Sequence, residues 1–231
     1  MPVANLLKTV GAAVLDLAAP RRCVACDADL EAAGQAVEAT AFCIPCFESL
    51  GIGPRSACGR CAATIPAYLD GQPGCPRCER DSIRFDYTVC LGEYEGGLRE
   101  LIGEVKQQPA GVASATLGRL LADAVVRSGR SAEIDVIVPS PMRPRQKWGF
   151  KPDAAACLAG VLSQRLGRPL GRDVLQRIYN TLPQKGLSRA GRFRNQRGQM
   201  VLGAGYHLSS ASVLVVDDVM TTGATCSEAA R

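Results

Sequence analysis

A run of four apolar residues, two adjacent acids and a turn of Thr and Gly constrains the fold of this chain more than any other stretch. It spans 213–225 and reads Val-Leu-Val-Val-Asp-Asp-Val-Met-Thr-Thr-Gly-Ala-Thr. The pattern predicts a buried strand that opens onto a helix, and ligands bind at that end of an open α/β sheet. Backbone N–H groups and hydroxyls of 221–225 suit a phosphate. Asp217 and Asp218 would repel a lone phosphate, so they indicate a ligand that also carries neighbouring hydroxyls.

This stretch closely resembles the 5-phosphoribosyl-1-pyrophosphate (PRPP) loop of type I phosphoribosyltransferases. The resemblance implies that Asp217 and Asp218 bind the ribose 2′- and 3′-hydroxyls. It also implies a cradle for the 5′-phosphate, formed by Thr221, Thr222, Gly223, Ala224 and Thr225. The simpler alternative is a buried strand followed by an ordinary capped helix, which would have no need of two adjacent acids.

Eight of the eleven cysteines form four Cys-x-x-Cys pairs. Each pair places two thiolates on one tight turn, and the spacers between successive pairs fit zinc ribbons. Sequential pairing gives one site from Cys23, Cys26, Cys43 and Cys46 and a second from Cys58, Cys61, Cys75 and Cys78. Cross-braced pairing, metal-free pairs and an iron–sulfur cluster are the alternatives. Four thiolates leave no open position on the ion, so structural Zn²⁺ is expected.

The charge is unevenly distributed. Residues 140–200 contain 13 Lys or Arg and two acids, a net charge of +11, so the rest of the chain carries −6. A basic segment of this kind suits a polyanion such as PRPP, pyrophosphate or nucleic acid. No apolar run approaches the roughly 20 residues of a membrane span. The first 20 residues predict an amphipathic helix rather than a signal peptide, and a cytoplasmic location is expected.

Strand and helix patterns alternate along the rest of the chain. Strands are predicted over 85–92, 134–138 and 213–216, with a short extended piece from 174; helices are predicted over 98–106, 117–126 and 154–166. This alternation is typical of an α/β fold with a mostly parallel sheet.

The order of these pieces resembles the ComF family of competence-associated, phosphoribosyltransferase-like proteins over essentially the whole chain. The landmarks are the cysteine pairs, Tyr94-Glu95-Gly96, Leu98-Arg99, Lys106, Val138-Pro139-Ser140-Pro141, Gly149-Phe150, Thr181, Gln184, Arg189, Arg192, Asn195 and the loop over 217–225. The implied organisation is an N-terminal helix over 1–20, a double zinc ribbon over 21–82 and a type I phosphoribosyltransferase-like domain over 83–231.

The resemblance also implies roles for residues outside the acidic loop. Lys106 joins Asp217 and Asp218 as a catalytic residue. The pyrophosphate loop is Ser140, Pro141, Met142 and Arg143, and a mobile flap carries Gln184, Arg189, Arg192 and Asn195. Mg²⁺ would accompany PRPP. A disordered basic loop is the alternative to the flap.

Two main functions are compatible with these patterns. The first is phosphoribosyl transfer in nucleoside metabolism, with no acceptor assigned because no residue is identifiable as its general base. The second is a non-catalytic factor for DNA uptake that binds single-stranded DNA together with competence or helicase proteins. A regulator that senses PRPP without chemistry is a third possibility.

Three departures from the family pattern bear on the site. Trp148-Gly149-Phe150-Lys151-Pro152 stands where the family usually has Arg-Gly-Phe-Asn-Gln, so an Arg and an Asn are lost. Ser140 replaces a Val of the family's Val-Pro-Val-Pro loop. The chain stops at Arg231 in the helix after the PRPP loop, where the family continues, so a C-terminal truncation is expected.

Overall fold

The computed structural model describes most of the chain. The described residues are 21–30, 37, 40–53, 55–69, 74–81, 83–142, 153–178 and 186–231. The helix predicted over 1–20, the altered segment 148–152, and the site residues Arg143 and Gln184 lie outside them.

Helices outnumber strands in the described residues. The helices are α1 (Ile44–Ser49), α2 (Pro76–Asp81), α3 (Gly96–Gln107), α4 (Val112–Arg127), α5 (Ala154–Leu166), α6 (Arg189–Gln196) and α7 (Ala224–Ala229). The strands are β1 (Val136–Pro139), β2 (Leu175–Arg177), β3 (Met200–Leu202) and β4 (Val213–Val216). The predicted bounds of α5 and β4 are confirmed to the residue. Within the described part of the chain, every helix is too short or too polar to cross a membrane.

β1 and β4 form a small parallel sheet. Val136 pairs with Val213 and Pro139 with Val216, so both strands end at the same edge. The Ser140 N–H donates to the Val216 carbonyl at 2.8 Å, which holds the two strand ends together. β2 and β3 form a separate antiparallel pair. The mixed helix and strand class is therefore confirmed, while the parallel part is a two-stranded sheet in the described residues.

The strand predicted over 85–92 is wrong, because these residues, all described, form no ladder. Their polar groups bond to the second cysteine segment instead. The Thr88 N–H donates to the Gly59 carbonyl at 3.0 Å, and the Thr88 hydroxyl donates to the Arg60 carbonyl at 2.8 Å. The Arg60 guanidinium donates in turn to the Phe85 carbonyl at 3.0 Å. The β-like composition of this segment serves packing against the cysteine module rather than sheet formation.

α4 and α5 pack closely against each other beside the parallel strands. Gly118 permits this approach, because a Cβ there would lie 2.6 Å from the Cβ of Val161. The start of α5 is fixed by the Asp153 carboxylate, which accepts from the Ala155 N–H at 3.0 Å. Gly167 ends the helix with a φ of 63°, a conformation that favours glycine.

The two cysteine segments belong to different apolar clusters. Cys23, Cys43 and Phe42 are buried in the large cluster that also contains the inner faces of α3, α4 and α5. Cys58, Cys61, Cys75 and Cys78 lie in a smaller cluster, against which Phe85 and Phe193 pack. The first cysteine segment is thus part of the main core, and the second is a satellite joined to it by the segment after α2.

Candidate functional site

The eight paired cysteines form two four-sulfur groups with sequential pairing. In each group the four Sγ atoms lie within 4.8 Å of one another. Cys26 and Cys43 Sγ are 3.7 Å apart, and Cys58 and Cys78 Sγ are 3.6 Å apart. A tetrahedral ion with Zn–S bonds of about 2.3 Å separates its sulfurs by about 3.8 Å, so both groups are compatible with structural zinc. The cross-braced alternative does not fit this arrangement.

Backbone donors to Cys23 favour the thiolate form that a metal requires at that position. The Cys43 N–H donates to Cys23 Sγ at 3.4 Å. Burial opposes ionisation of Cys23, but this bond and the N–H groups of Ala25 and Cys26 lower its pKa to about 6. Such N–H donation to sulfur stabilises a negative charge on the ligand atom.

The predicted acidic loop leaves the carboxyl end of β4, where β1 also ends. The Asp218 N–H donates to Asp217 Oδ1 at 3.0 Å. Gly223 has a φ of 78° and is the N-cap of α7, and an added Cβ would lie 3.3 Å from the Phe85 ring. Position 223 therefore favours glycine for its backbone conformation, and the Phe85 contact leaves little room for a Cβ.

Lys106, expected to be catalytic, reaches this loop from the last turn of α3. Its Nζ lies 3.2 Å from Asp218 Oδ2 and 5.8 Å from the centre of the Tyr94 ring. The structure therefore brings Lys106 to the acidic pair Asp217 and Asp218, more than 100 positions further along the chain.

The two acids have different electrostatic environments. Burial, and then the neighbouring Asp218 charge, raise the pKa of Asp217 from 3.8 to about 7. Asp218 has the Lys106 cation as its ion-pair partner. Near neutral pH, Asp217 can therefore act as a donor or an acceptor towards a ligand hydroxyl. Burial, and then the Asp217 charge, raise the pKa of Cys226 to about 12, which disfavours a reactive thiolate.

The residues expected to bind pyrophosphate follow β1 at the same edge of the sheet. Ser140 is buried, and the Pro141 carbonyl accepts from the Arg177 guanidinium at 3.3 Å. Ser140, Pro141 and Met142 are described, whereas Arg143 is outside the described residues.

The segment expected to be the flap is helical over Arg189–Gln196, which does not fit the alternative of a disordered loop there. Ser188 caps α6 by accepting from the Gly191 N–H at 3.1 Å, and Phe193 packs on the second cysteine cluster. Arg189 forms an ion pair with Asp81 and donates to the Thr222 carbonyl at 3.4 Å. Arg192 donates to the Thr221 hydroxyl at 2.9 Å, and Asn195 lies in the same helix. α6 thus connects the second cysteine centre to the Thr-rich turn.

A cavity of about 350 Å³ opens beside Asp217 and Asp218. One wall is the loop from Asp217 to Thr222, another is the segment 88–94, and a third comes from the second cysteine module. Sequence reasoning missed the residues that this module contributes, namely Arg55, Ala62, Ala63, Thr64 and Arg77. The position of Arg77 inside a Cys-x-x-Cys turn was the available signal, but a structural interpretation of the module gave it no role.

Comparisons with known proteins find relatives along most of the chain. It is 28% identical over 214 residues to Competence protein F of Haemophilus influenzae, covering 91% of this chain and 89% of that protein. It is 30% identical over 179 residues to DNA utilization protein YhgH of Salmonella typhimurium, covering 76% and 77%. The YhgH protein of Escherichia coli K12 is 28% identical over 180 residues.

No family model matches the chain. No solved structure matches it either. The assignment therefore depends on whole proteins aligned over most of their length, together with two sequentially paired cysteine groups and an acidic loop met by Lys106. On this basis the chain belongs to the ComF family, with Competence protein F and YhgH among its relatives.

Proposed function

We propose that this chain binds PRPP at residues 217–225 and transfers or holds its phosphoribosyl group. The proposed organisation is a type I phosphoribosyltransferase-like domain over 83–231, preceded by a structural double zinc ribbon over 21–82 and a helix over 1–20. The observation that carries the proposal is the 3.2 Å contact of Lys106 with Asp218. The family resemblance implied both Lys106 and the acidic pair as site residues, and in the structure they meet near the shared end of two parallel strands.

Each part of PRPP has candidate partners in this arrangement. Asp217 and Asp218 would accept from the ribose hydroxyls, and residues 221–225 would hold the 5′-phosphate. Arg192, which donates to the Thr221 hydroxyl at 2.9 Å, adds a cation beside that turn. The loop of Ser140–Arg143 and Lys106 would hold the pyrophosphate. Mg²⁺, if bound with PRPP, would supply further neutralisation of the pyrophosphate charge.

The reaction needs an acceptor with a nucleophilic nitrogen or oxygen. Its lone pair forms a bond to C1′ of the ribose, and the bond between C1′ and pyrophosphate breaks with its electron pair on the leaving oxygen. The proton displaced from the acceptor passes to solvent. Positive charge develops on the ribose during this step, and Asp218, the ion-pair partner of Lys106, would stabilise that charge from beside it.

Calorimetric titration of PRPP with Mg²⁺ into the zinc-loaded chain tests the proposal. We expect saturable binding that is lost in the Asp217→Asn/Asp218→Asn double variant, whose zinc content and far-UV circular dichroism stay as in the wild type. Glu100→Gln, an exposed acid on α3, is the matched control and should bind normally. Equal PRPP binding by the double variant would contradict the proposed site.

A second candidate function is a non-catalytic factor in competence that binds single-stranded DNA. The names of the relatives, Competence protein F and DNA utilization protein YhgH, favour this function at least as well as they favour PRPP binding. The net charge of +11 over 140–200 gives it a physical basis. Binding to a labelled oligothymidine that falls steeply as salt rises, without any PRPP binding, would establish this function instead. A competence or helicase protein would then be the expected partner.

A further inference from the structure

The cavity beside the acidic loop lies towards the second cysteine module. Its lining includes Asp217, Asp218, Thr221 and Thr222, but among the described residues it includes none of Ser140–Met142. Pyrophosphate, if held by that loop, would leave on the side away from the cavity. An acceptor approaches C1′ from the face opposite the leaving group. With the ribose at Asp217 and Asp218 and the pyrophosphate at that loop, the cavity would lie on the side from which an acceptor enters.

The cavity has the size and the apolar surface of a small-molecule site. Its volume of about 350 Å³ falls within the usual range of ligand pockets, about 300–1,000 Å³. Its inner wall is formed by Leu98, Ile102, Leu117, Leu121, Leu158 and Val215. Tyr94, which is 44% exposed, also lines it and adds an aromatic surface, with the Lys106 cation 5.8 Å from its ring centre. A flat, weakly polar ring system suits these surfaces.

Three guanidinium groups line the cavity, and two of them have carboxylate partners. Arg55 pairs with Glu93 at 3.4 Å, and Arg189 pairs with Asp81. Arg77 forms no ion pair within the described part of the chain. It stands between the metal-ligand positions Cys75 and Cys78 at the start of α2, so the cysteine centre fixes its backbone. Among the described guanidinium groups of the lining, Arg77 is therefore the one without a carboxylate partner, and it is exposed to solvent.

We propose that this cavity is the acceptor pocket and that the acceptor is a flat-ringed molecule carrying a phosphate, as in a nucleoside monophosphate. The inference rests on the proposed function, since an acceptor exists only if PRPP is bound. Arg77 binds the acceptor's phosphate, because a planar guanidinium matches two phosphate oxygens. The apolar wall and Tyr94 hold the ring, and Asp217 and Asp218 mark the end where the ribose lies. The second zinc module thereby contributes a binding residue as well as a scaffold.

Titration of four probes into the zinc-loaded full chain tests this pocket. Adenosine and thymidine 5′-monophosphates are compared with adenosine and thymidine, each with and without PRPP and Mg²⁺. We expect at least one monophosphate to bind about tenfold more tightly than its nucleoside, the size expected for one charge-assisted contact. Arg77→Ala should remove that advantage, and Arg77→Lys should retain part of it. Arg80→Ala, in the same helix but outside the cavity lining, is the matched control and should leave it unchanged.

The outcomes separate this inference from the proposed function. Wild-type zinc content and unchanged PRPP affinity in Arg77→Ala, together with loss of the phosphate advantage, support the acceptor pocket. Equal binding of nucleosides and monophosphates, or no binding of any probe while PRPP still binds, overturns it. A loss of PRPP affinity in Arg77→Ala also overturns it, because the cavity would then hold PRPP itself. Failure of the wild-type chain to bind PRPP removes the proposed function as well.

Discussion

At the scale of single residues, the acidic pair owes its properties to what surrounds each carboxyl. Asp218 faces the Lys106 cation at 3.2 Å. Burial and the neighbouring Asp218 charge disfavour ionisation of Asp217 and raise its pKa to about 7. Neighbouring acids with unequal environments are typical of functional sites, where binding chemistry rather than stability decides the residues. The pair should therefore reduce the stability of the fold near neutral pH.

The pH dependence of unfolding checks this conclusion. Because the pKa of Asp217 is higher in the folded state, protonated Asp217 favours folding. This contribution to the free energy of unfolding is complete below about pH 4 and is lost as the pH rises to about 7. Asp217→Asn should therefore raise the free energy of unfolding at pH 8 by at most about 4 kcal/mol, and by much less at pH 4. Urea unfolding at both pH values measures the difference. Glu100→Gln serves as the exposed control, and a gain independent of pH would contradict the prediction.

At the scale of elements, close packing between helices and the contacts of α6 hold the site in place. α4 and α5 approach each other at Gly118, where a Cβ would lie 2.6 Å from that of Val161. α6 contacts the Thr-rich turn through Arg189 and Arg192 and the second cysteine cluster through Phe193. The loop is thus positioned from both sides, by the sheet edge behind it and by α6 in front of it.

Replacing glycine by alanine should have opposite effects on the free energy of unfolding at two helical positions. Gly118→Ala should destabilise the chain by about 1–3 kcal/mol, because the methyl group overlaps Val161 in a packed interface. Gly103→Ala on α3, where an added Cβ meets nothing within 4 Å, should stabilise it by up to about 1 kcal/mol. Denaturant unfolding of both variants measures these values. A gain in stability in Gly118→Ala would show that the α4–α5 approach is looser than described.

The ion pair between Arg189 and Asp81 should control the attachment of α6. Asp81→Asn removes a charge-assisted partner whose side chain is only 9% exposed, so local opening of α6 should become easier by about 1–3 kcal/mol. Hydrogen exchange of the α6 amides measures this. Asp123→Asn breaks the exposed pair with Arg165 and should change exchange by less than about 1 kcal/mol. Unchanged α6 exchange in Asp81→Asn would contradict the role of this pair.

At the scale of the whole molecule, the two cysteine centres differ in what they support. The first is buried with the inner faces of α3, α4 and α5, and the second forms a satellite cluster with Phe85 and Phe193. Both would supply folding free energy on binding zinc, because short segments of this kind have little core of their own. Loss of zinc from the first centre should therefore destabilise the main core, whereas loss from the second should destabilise only the region near the acidic loop.

Serine substitutions separate the two centres. Cys43→Ser/Cys46→Ser and Cys75→Ser/Cys78→Ser should each release one of two zinc ions per chain, measured by elemental analysis. The first variant should lower exchange protection in α3, α4 and α5, because Cys43 belongs to their cluster. The second should lower protection in α6 and leave those three helices protected. Similar exchange patterns in the two variants would contradict the division.

The sequence by itself determined the features that depend on near neighbours. Spacing alone identified the four Cys-x-x-Cys pairs, and local apolar patterns predicted α5 and β4 with their bounds. The choice between sequential and cross-braced pairing came from the structure. Only the tertiary structure decided which distant residues meet. The segment 85–92 has the composition of a strand, yet it bonds to the cysteine module, and the Arg84 N–H donates to the Ser227 hydroxyl 143 positions away. Local pattern cannot encode such contacts, because burial and charge pairing depend on neighbours that folding alone supplies. For the same reason, Arg77 was not identified as a site residue from the sequence, and only the structure places it at the wall of the cavity.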